Sequence, residues 1–131
     1  MAIELTGVIY MRRITDTYNS GAEQQSFRIF SRMCGRQAAD QVRLVTTMWD
    51  QVPDDDTSVL QTQNRLETEW GYLLSAGALY RTFYNTSESA WEIVDGLGYE
   101  RKALLLQHEL VNMGKKLEET TAAIHAPDNE V

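Results

Sequence analysis

Val42-Arg43-Leu44-Val45-Thr46-Thr47-Met48-Trp49-Asp50 decides the fold. Aliphatic and β-branched residues run almost unbroken from Val42 to Met48. Such a run suits a strand of a parallel sheet, covered on both faces. The stretch ends in a Thr-x-x-Asp tip, Thr47 to Asp50, where a strand would open onto a loop. A parallel strand needs parallel neighbours, and two segments qualify. Val8-Ile9-Tyr10-Met11, bounded by Gly7 and Arg12-Arg13, reads as a short, fully buried strand. Ala78-Leu79-Tyr80-Arg81-Thr82-Phe83-Tyr84 is aromatic-rich, alternates roughly by two and reads as the third.

Helices are expected between and after these strands. Phe27, Phe30, Met33 and Cys34 recur at three- and four-residue steps, which places them on one helix face, and Gly35 supplies a left-handed stop. Pro53, Asp54-Asp55-Asp56 and Ser58 mark an acidic loop that leads into a second helix. Thr57 or Ser58 would cap it, and Leu60, Leu66, Trp70, Leu73 and Leu74 would supply its apolar positions. Thr86 or Ser87 caps a third helix carrying Ala90, Ile93, Val94 and Leu97, ended by Gly98. A long final helix is expected from about Glu100 to about Ile124, with residues 126–131 as a disordered tail. The order is strand, helix, strand, helix, strand, helix, helix. It implies an α/β domain over residues 1–125, with a short, mainly parallel three-stranded sheet flanked by helices and right-handed crossovers.

Composition narrows the function. The 131 residues suffice for one domain, and 43% hydrophobic with 24% charged residues is an ordinary globular balance. A net charge of −7 argues against nucleic-acid binding, which needs surplus Lys and Arg along phosphates. The start, Met1-Ala2-Ile3-Glu4-Leu5, lacks the pattern of a signal peptide, and no stretch approaches a membrane span, so a cytoplasmic protein without a membrane partner is expected. Cys34 is the one cysteine, so no intrachain disulfide is possible, and its apolar neighbours point to a buried, inert thiol. His108 and His125 are the two histidines and cannot build a His-rich metal site. Asp54-Asp55-Asp56 reads as a flexible acidic loop, because consecutive carboxylates splay apart. Neither a metal nor a cofactor is expected.

The order Gly7-Val8-Ile9-Tyr10, then Leu44-Val45-Thr46-Thr47-Met48-Trp49-Asp50 with its acidic loop, then Tyr84-Asn85-Thr86-Ser87-Glu88-Ser89-Ala90 and Trp91-Glu92-Ile93-Val94-Asp95, resembles fungal P-loop GTPase-like proteins and their septin-like and immune-associated relatives. The resemblance extends over most of residues 5–121 and concerns the C-terminal half of the GTPase domain. It implies a base pocket at the strand ends. Thr47 and Asp50 match the first and last positions of the guanine-reading [NT]-K-x-D, with Asp50 accepting two hydrogen bonds from the base edge. Met48 stands where the family has Lys, and Asn85 resembles the Asn that helps enclose the base.

The departures are large. No G-x-x-x-x-G-K-[ST] occurs anywhere, and only seven residues precede the first strand. The phosphate loop, first switch and Asp-x-x-Gly segment would lie upstream, so GTP hydrolysis by the family mechanism is not expected. The chain reads as a piece of a larger GTPase or as a half-domain with another task. In a half-domain the strand 8–11 loses its partner and becomes an unprotected edge, which implies a homo-oligomer. Ala103, Leu106, Leu110, Met113, Leu117 and Ile124 form a heptad-like seam in the final helix, suited to packing on the sheet or to dimerisation.

Three functions follow, the last being a pure protein-interaction module acting through the final helix. The first is a GTPase-like domain without phosphate chemistry, acting as a binding or self-assembly module with Thr47, Asp50 and Asn85 at its ligand site. The second is an enzyme of isomerase or cyclase type. It would use an aromatic-lined pocket for a small molecule, with Asp50 as general acid or base and Tyr84 assisting.

Overall fold

The computed structural model describes residues 5–16, 21–97 and 104–124. Three parallel strands, β1 (Val8–Arg13), β2 (Val42–Thr47) and β3 (Leu79–Thr82), lie in the order β1-β2-β3. Val8 pairs with Val42 and Arg43 with Leu79, which sets the register across the sheet. The α/β class and the parallel three-stranded sheet expected from the sequence are therefore observed.

Helix α1 (Gly21–Cys34) joins β1 to β2. Helices α2 (Ser58–Glu69) and α3 (Gly71–Leu74) join β2 to β3. Because each crossover steps one strand in the same direction, right-handed connections put α1 and α2 on the same face. Phe27 of α1, Val59 and Leu66 of α2, and Val42 and Leu44 of β2 accordingly share one core. Its centre is aromatic. Trp70 lies in the turn between α2 and α3, with ring centroids 6.4 Å from Tyr10, 6.1 Å from Phe27 and 5.8 Å from Tyr80.

Helix α4 (Ser87–Val94) packs on the opposite face, against β2 and β3. Its N-terminus is capped as expected, with Thr86 Oγ1 accepting from the Ser89 amide at 3.1 Å. Its far end is held by a buried guanidinium. Arg43 Nε donates to the Ile93 carbonyl at 3.2 Å and Nη2 to the Asp95 carbonyl at 3.1 Å. Loss of solvent, more than the neighbouring Arg81 charge, lowers the pKa of Arg43.

Several expectations need correction. Strand β1 is not fully buried. Val8, Tyr10 and Arg12 are half-buried while Ile9, Met11 and Arg13 are exposed. The reason is position: β1 is an edge strand, and α4 covers β2 and β3. Helix α2 is preceded by Asp56, whose Oδ1 accepts from the Ser58 amide at 3.0 Å, while the Thr57 side chain makes no cap. The second helix does not continue through Leu74 but turns at Trp70 into α3.

The long final helix is also not observed. Residues 104–124 form helix α5 (Leu105–Gln107), a π turn (His108–Asn112), a 3-10 turn (Leu117–Glu119) and helix α6 (Thr121–Ile124). Gly114 adopts φ 67°, a left-handed conformation that ends helical progress. The fold back is held by Glu109, which is 1% exposed. Its carboxylate accepts from Lys115 Nζ at 2.9 Å and from the Thr121 amide at 3.0 Å. The heptad-like seam is therefore not presented as one stripe, and Met113, Leu117 and Ile124 are exposed. Helices α5 and α6 pack on α1 instead. Helix α5 reaches the C-terminal end of α1, where Gly35 has φ 75° and a Cβ would come within 2.8 Å of Leu105 Cβ. The expected stop at Gly98 and the tail 126–131 lie outside the described residues.

Candidate functional site at the carboxyl end of the sheet

Thr47 is the last residue of β2, and Met48 follows it with φ 67°. That left-handed step breaks the strand and throws the chain into a 3-10 turn, Trp49–Gln51. The turn is anchored from below. The Trp49 indole N–H donates to Thr46 Oγ1 at 2.9 Å. Thr46 Oγ1 also shares a hydrogen bond of 2.8 Å with the Tyr80 hydroxyl, which accepts from Gln63 Nε2 at 3.2 Å. Thr46 is fully buried, so this chain of bonds is shielded from water and fixes the indole relative to β3 and α2. Burial pushes the Tyr80 hydroxyl above its ordinary value, which keeps it protonated and able to donate.

The loop after β3 runs beside this turn. The Tyr84 ring lies 6.2 Å from the Trp49 ring, so an aromatic contact bridges the two loops. Asn85 follows with φ 61°, a conformation that Asn tolerates better than most residues. The Tyr84 amide donates to Ser89 Oγ at 3.1 Å, and the Thr86 cap holds the same serine. Both loops are thus tied to the fold on one side and open to water on the other.

Of the four residues singled out from the sequence, Thr47 ends β2, Asp50 lies in the turn that follows it, and Tyr84 and Asn85 lie on the loop after β3. Thr47 is half-buried, and its carbonyl accepts from the Ile14 amide at 2.9 Å. Asp50, Tyr84 and Asn85 are exposed. The Asp50 carboxylate accepts a long bond of 3.4 Å from Gln51 Nε2 and is otherwise open to solvent. Among the described residues no hydrogen bond joins any two of the four. Asp50 and Tyr84 are thus close in topology but stand in water, where an acid–base pair gains little from its surroundings.

A cleft of about 370 Å³ opens beside Trp49, walled by Val52, Pro53, Val59 and the acidic loop Asp54-Asp55-Asp56. No group of three or more His, Cys, Asp or Glu side chains suited to a metal ion occurs among the described residues. Cys34 is buried, and desolvation pushes its thiol up to about 12, which leaves no thiolate at neutral pH. No helix among the described residues is long and apolar enough to cross a membrane.

Sequence reading missed the buried support under the loop. Thr46 and Trp49 stand three residues apart, a spacing that hints at contact in a tight turn. Gln63 and Tyr80 come from other elements, and nothing local ties them to the site. No family model, curated protein or solved structure matches this chain.

Proposed function

We propose that this chain is a cytoplasmic binding and self-assembly module whose ligand site lies at the carboxyl end of β2 and β3. The observation that carries this reading is the Trp49–Tyr84 contact, with Asp50 and Asn85 on the turns that flank it. Ligands of open α/β sheets favour this end of the strands. Two aromatic rings offer apolar area to a planar heterocycle, and an exposed carboxylate accepts from adjacent N–H groups, as a guanine edge presents. Asn85 and Thr47 add polar contacts. The resemblance to P-loop GTPases without their phosphate loop supports the same assignment: a base pocket without phosphate chemistry.

A calorimetric titration with guanosine, GDP and GTP, with and without magnesium, tests this. Guanosine and GTP should bind with similar affinity, and magnesium should change neither. Asp50→Ala should weaken both about tenfold or more, since it removes two charge-assisted hydrogen bonds. Absence of guanosine binding to the unaltered protein would sink the reading.

Self-assembly rests on the exposed edge. Among the described residues β1 pairs with β2 alone, and Ile9 and Met11 stand exposed on its uncovered face. A second β1 from another copy would satisfy the free backbone groups and cover those side chains. Sedimentation should show a concentration-dependent dimer that Met11→Lys shifts to monomer. A monomer at every concentration would remove this half of the proposal.

A further inference from the structure

Arg28 and Arg32 stand one turn apart on α1, and Arg36 follows just beyond its end. Tyr72 of α3 lies beneath two of them, with the guanidinium carbons of Arg32 and Arg36 at 4.5 Å and 5.2 Å from its ring centroid. Arg36 is accounted for, because its Nη1 donates to the Tyr72 carbonyl at 3.2 Å and to Ser75 Oγ at 3.4 Å. Arg32 is not. Its Nε is covered by protein with no acceptor, and its guanidinium meets no carboxylate among the described residues. Arg28 is exposed, and no acceptor for its guanidinium occurs among the described residues either.

Both arginines line a cleft of about 300 Å³ between α1 and the α2–α3 junction. Phe27 and Tyr72 give it apolar surface, Gln24 adds an amide, and Glu69 contributes one carboxylate. Two arginines against one glutamate leave the lining positive, in a chain whose total charge is −7. Two unpaired like charges one helical turn apart repel. Stacking on Tyr72 holds the Arg32 plane still, so its Nη groups present a fixed fork. A fixed fork beside a second guanidinium matches a group with several anionic oxygens rather than a single point charge.

We infer that this cleft is a binding site for a phosphate monoester. Arg32 engages two phosphate oxygens and Arg28 a third, while the organic group rests on Tyr72 and Phe27. The volume is at the lower end for small-ligand sites and suits a phosphate carrying one small ring. The lining residues are separate from those of the guanosine-type site, so either assignment stands without the other.

Calorimetry at low salt with phenyl phosphate and with inorganic phosphate tests the inference. Phenyl phosphate should bind, and more tightly than inorganic phosphate. Arg32→Lys should weaken it about tenfold or more, since lysine supplies neither the planar fork nor the stack. Arg28→Ala, at an exposed position outside the core, should weaken it several-fold with an unchanged melting temperature and unchanged guanosine titration. No binding of phenyl phosphate, equal affinity for the two probes, or full affinity in both variants would each overturn the assignment.

Discussion

Trp70→Ala should remove about 3–5 kcal/mol of stability, as urea unfolding followed by circular dichroism would show. Trp70 is 1% exposed and is the largest fully buried side chain. It does more than fill volume. Its ring touches Tyr10 from β1, Phe27 from α1 and Tyr80 from β3, so one indole joins three elements distant in sequence. Alanine would leave a cavity that none of these rings can fill without leaving its own neighbours. Small domains have roughly 5–15 kcal/mol in total, so the variant should be close to unfolding at physiological temperature. Trp70→Phe keeps part of the ring contact and should lose clearly less. A loss below about 1 kcal/mol for the alanine variant would show that the aromatic cluster is not the core.

The second large effect is expected at Lys115. Its ammonium is the charge partner of the buried Glu109 carboxylate, at 2.9 Å. Burial raises the Glu109 pKa, but hydrogen bonds from Lys115 and Thr121 outweigh it, and the net shift is downward. A carboxyl with a lowered folded-state pKa contributes stability above its unfolded value, near 4.3, and loses it as pH falls through the folded value. Lys115→Met removes the main downward influence and leaves the buried carboxylate to Thr121. The variant should lose about 2 kcal/mol at neutral pH, a figure kept low because Lys115 is itself one-third exposed. The deficit should shrink as pH falls and close once pH is below the lowered folded-state value, where both proteins carry a neutral Glu109. Melting curves between pH 3 and 7 decide it. A deficit that is constant over that range would mean that the lysine acts through packing rather than charge.

The parallel sheet was legible because Val42 to Thr47 is apolar on both sides of its alternation, and two short β-rich segments flank it at helical distance. The α4 cap was legible because Thr86 and Ser89 form a local pair. The final segment was not. Leu106, Leu110 and Met113 keep helical spacing, but spacing does not reveal that Glu109 would be buried and paired six residues on. Tertiary capture of one charge, together with the left-handed Gly114, overrides the periodicity. At the candidate site, Thr47, Asp50, Tyr84 and Asn85 were legible as strand-end residues. The Thr46–Tyr80–Gln63 support was not, because it joins three elements through side chains. Arg28 and Arg32 were not singled out in the sequence, because only Tyr72, forty residues on from Arg32, makes them more than a solvated helix face.

The parallel register also sets an order of events during synthesis. Val8 finds its partner only when Val42 exists, and Arg43 only when Leu79 does. At about 5–20 residues per second, β1 leaves the ribosome roughly 2–7 s before its neighbour. Ile9 and Met11, exposed even in the finished sheet, are then uncovered on both sides. Helical segments form in microseconds, so α1 can be in place well before any ladder closes. The nascent chain therefore passes through a stage in which α1 has formed while β1 still waits for β2.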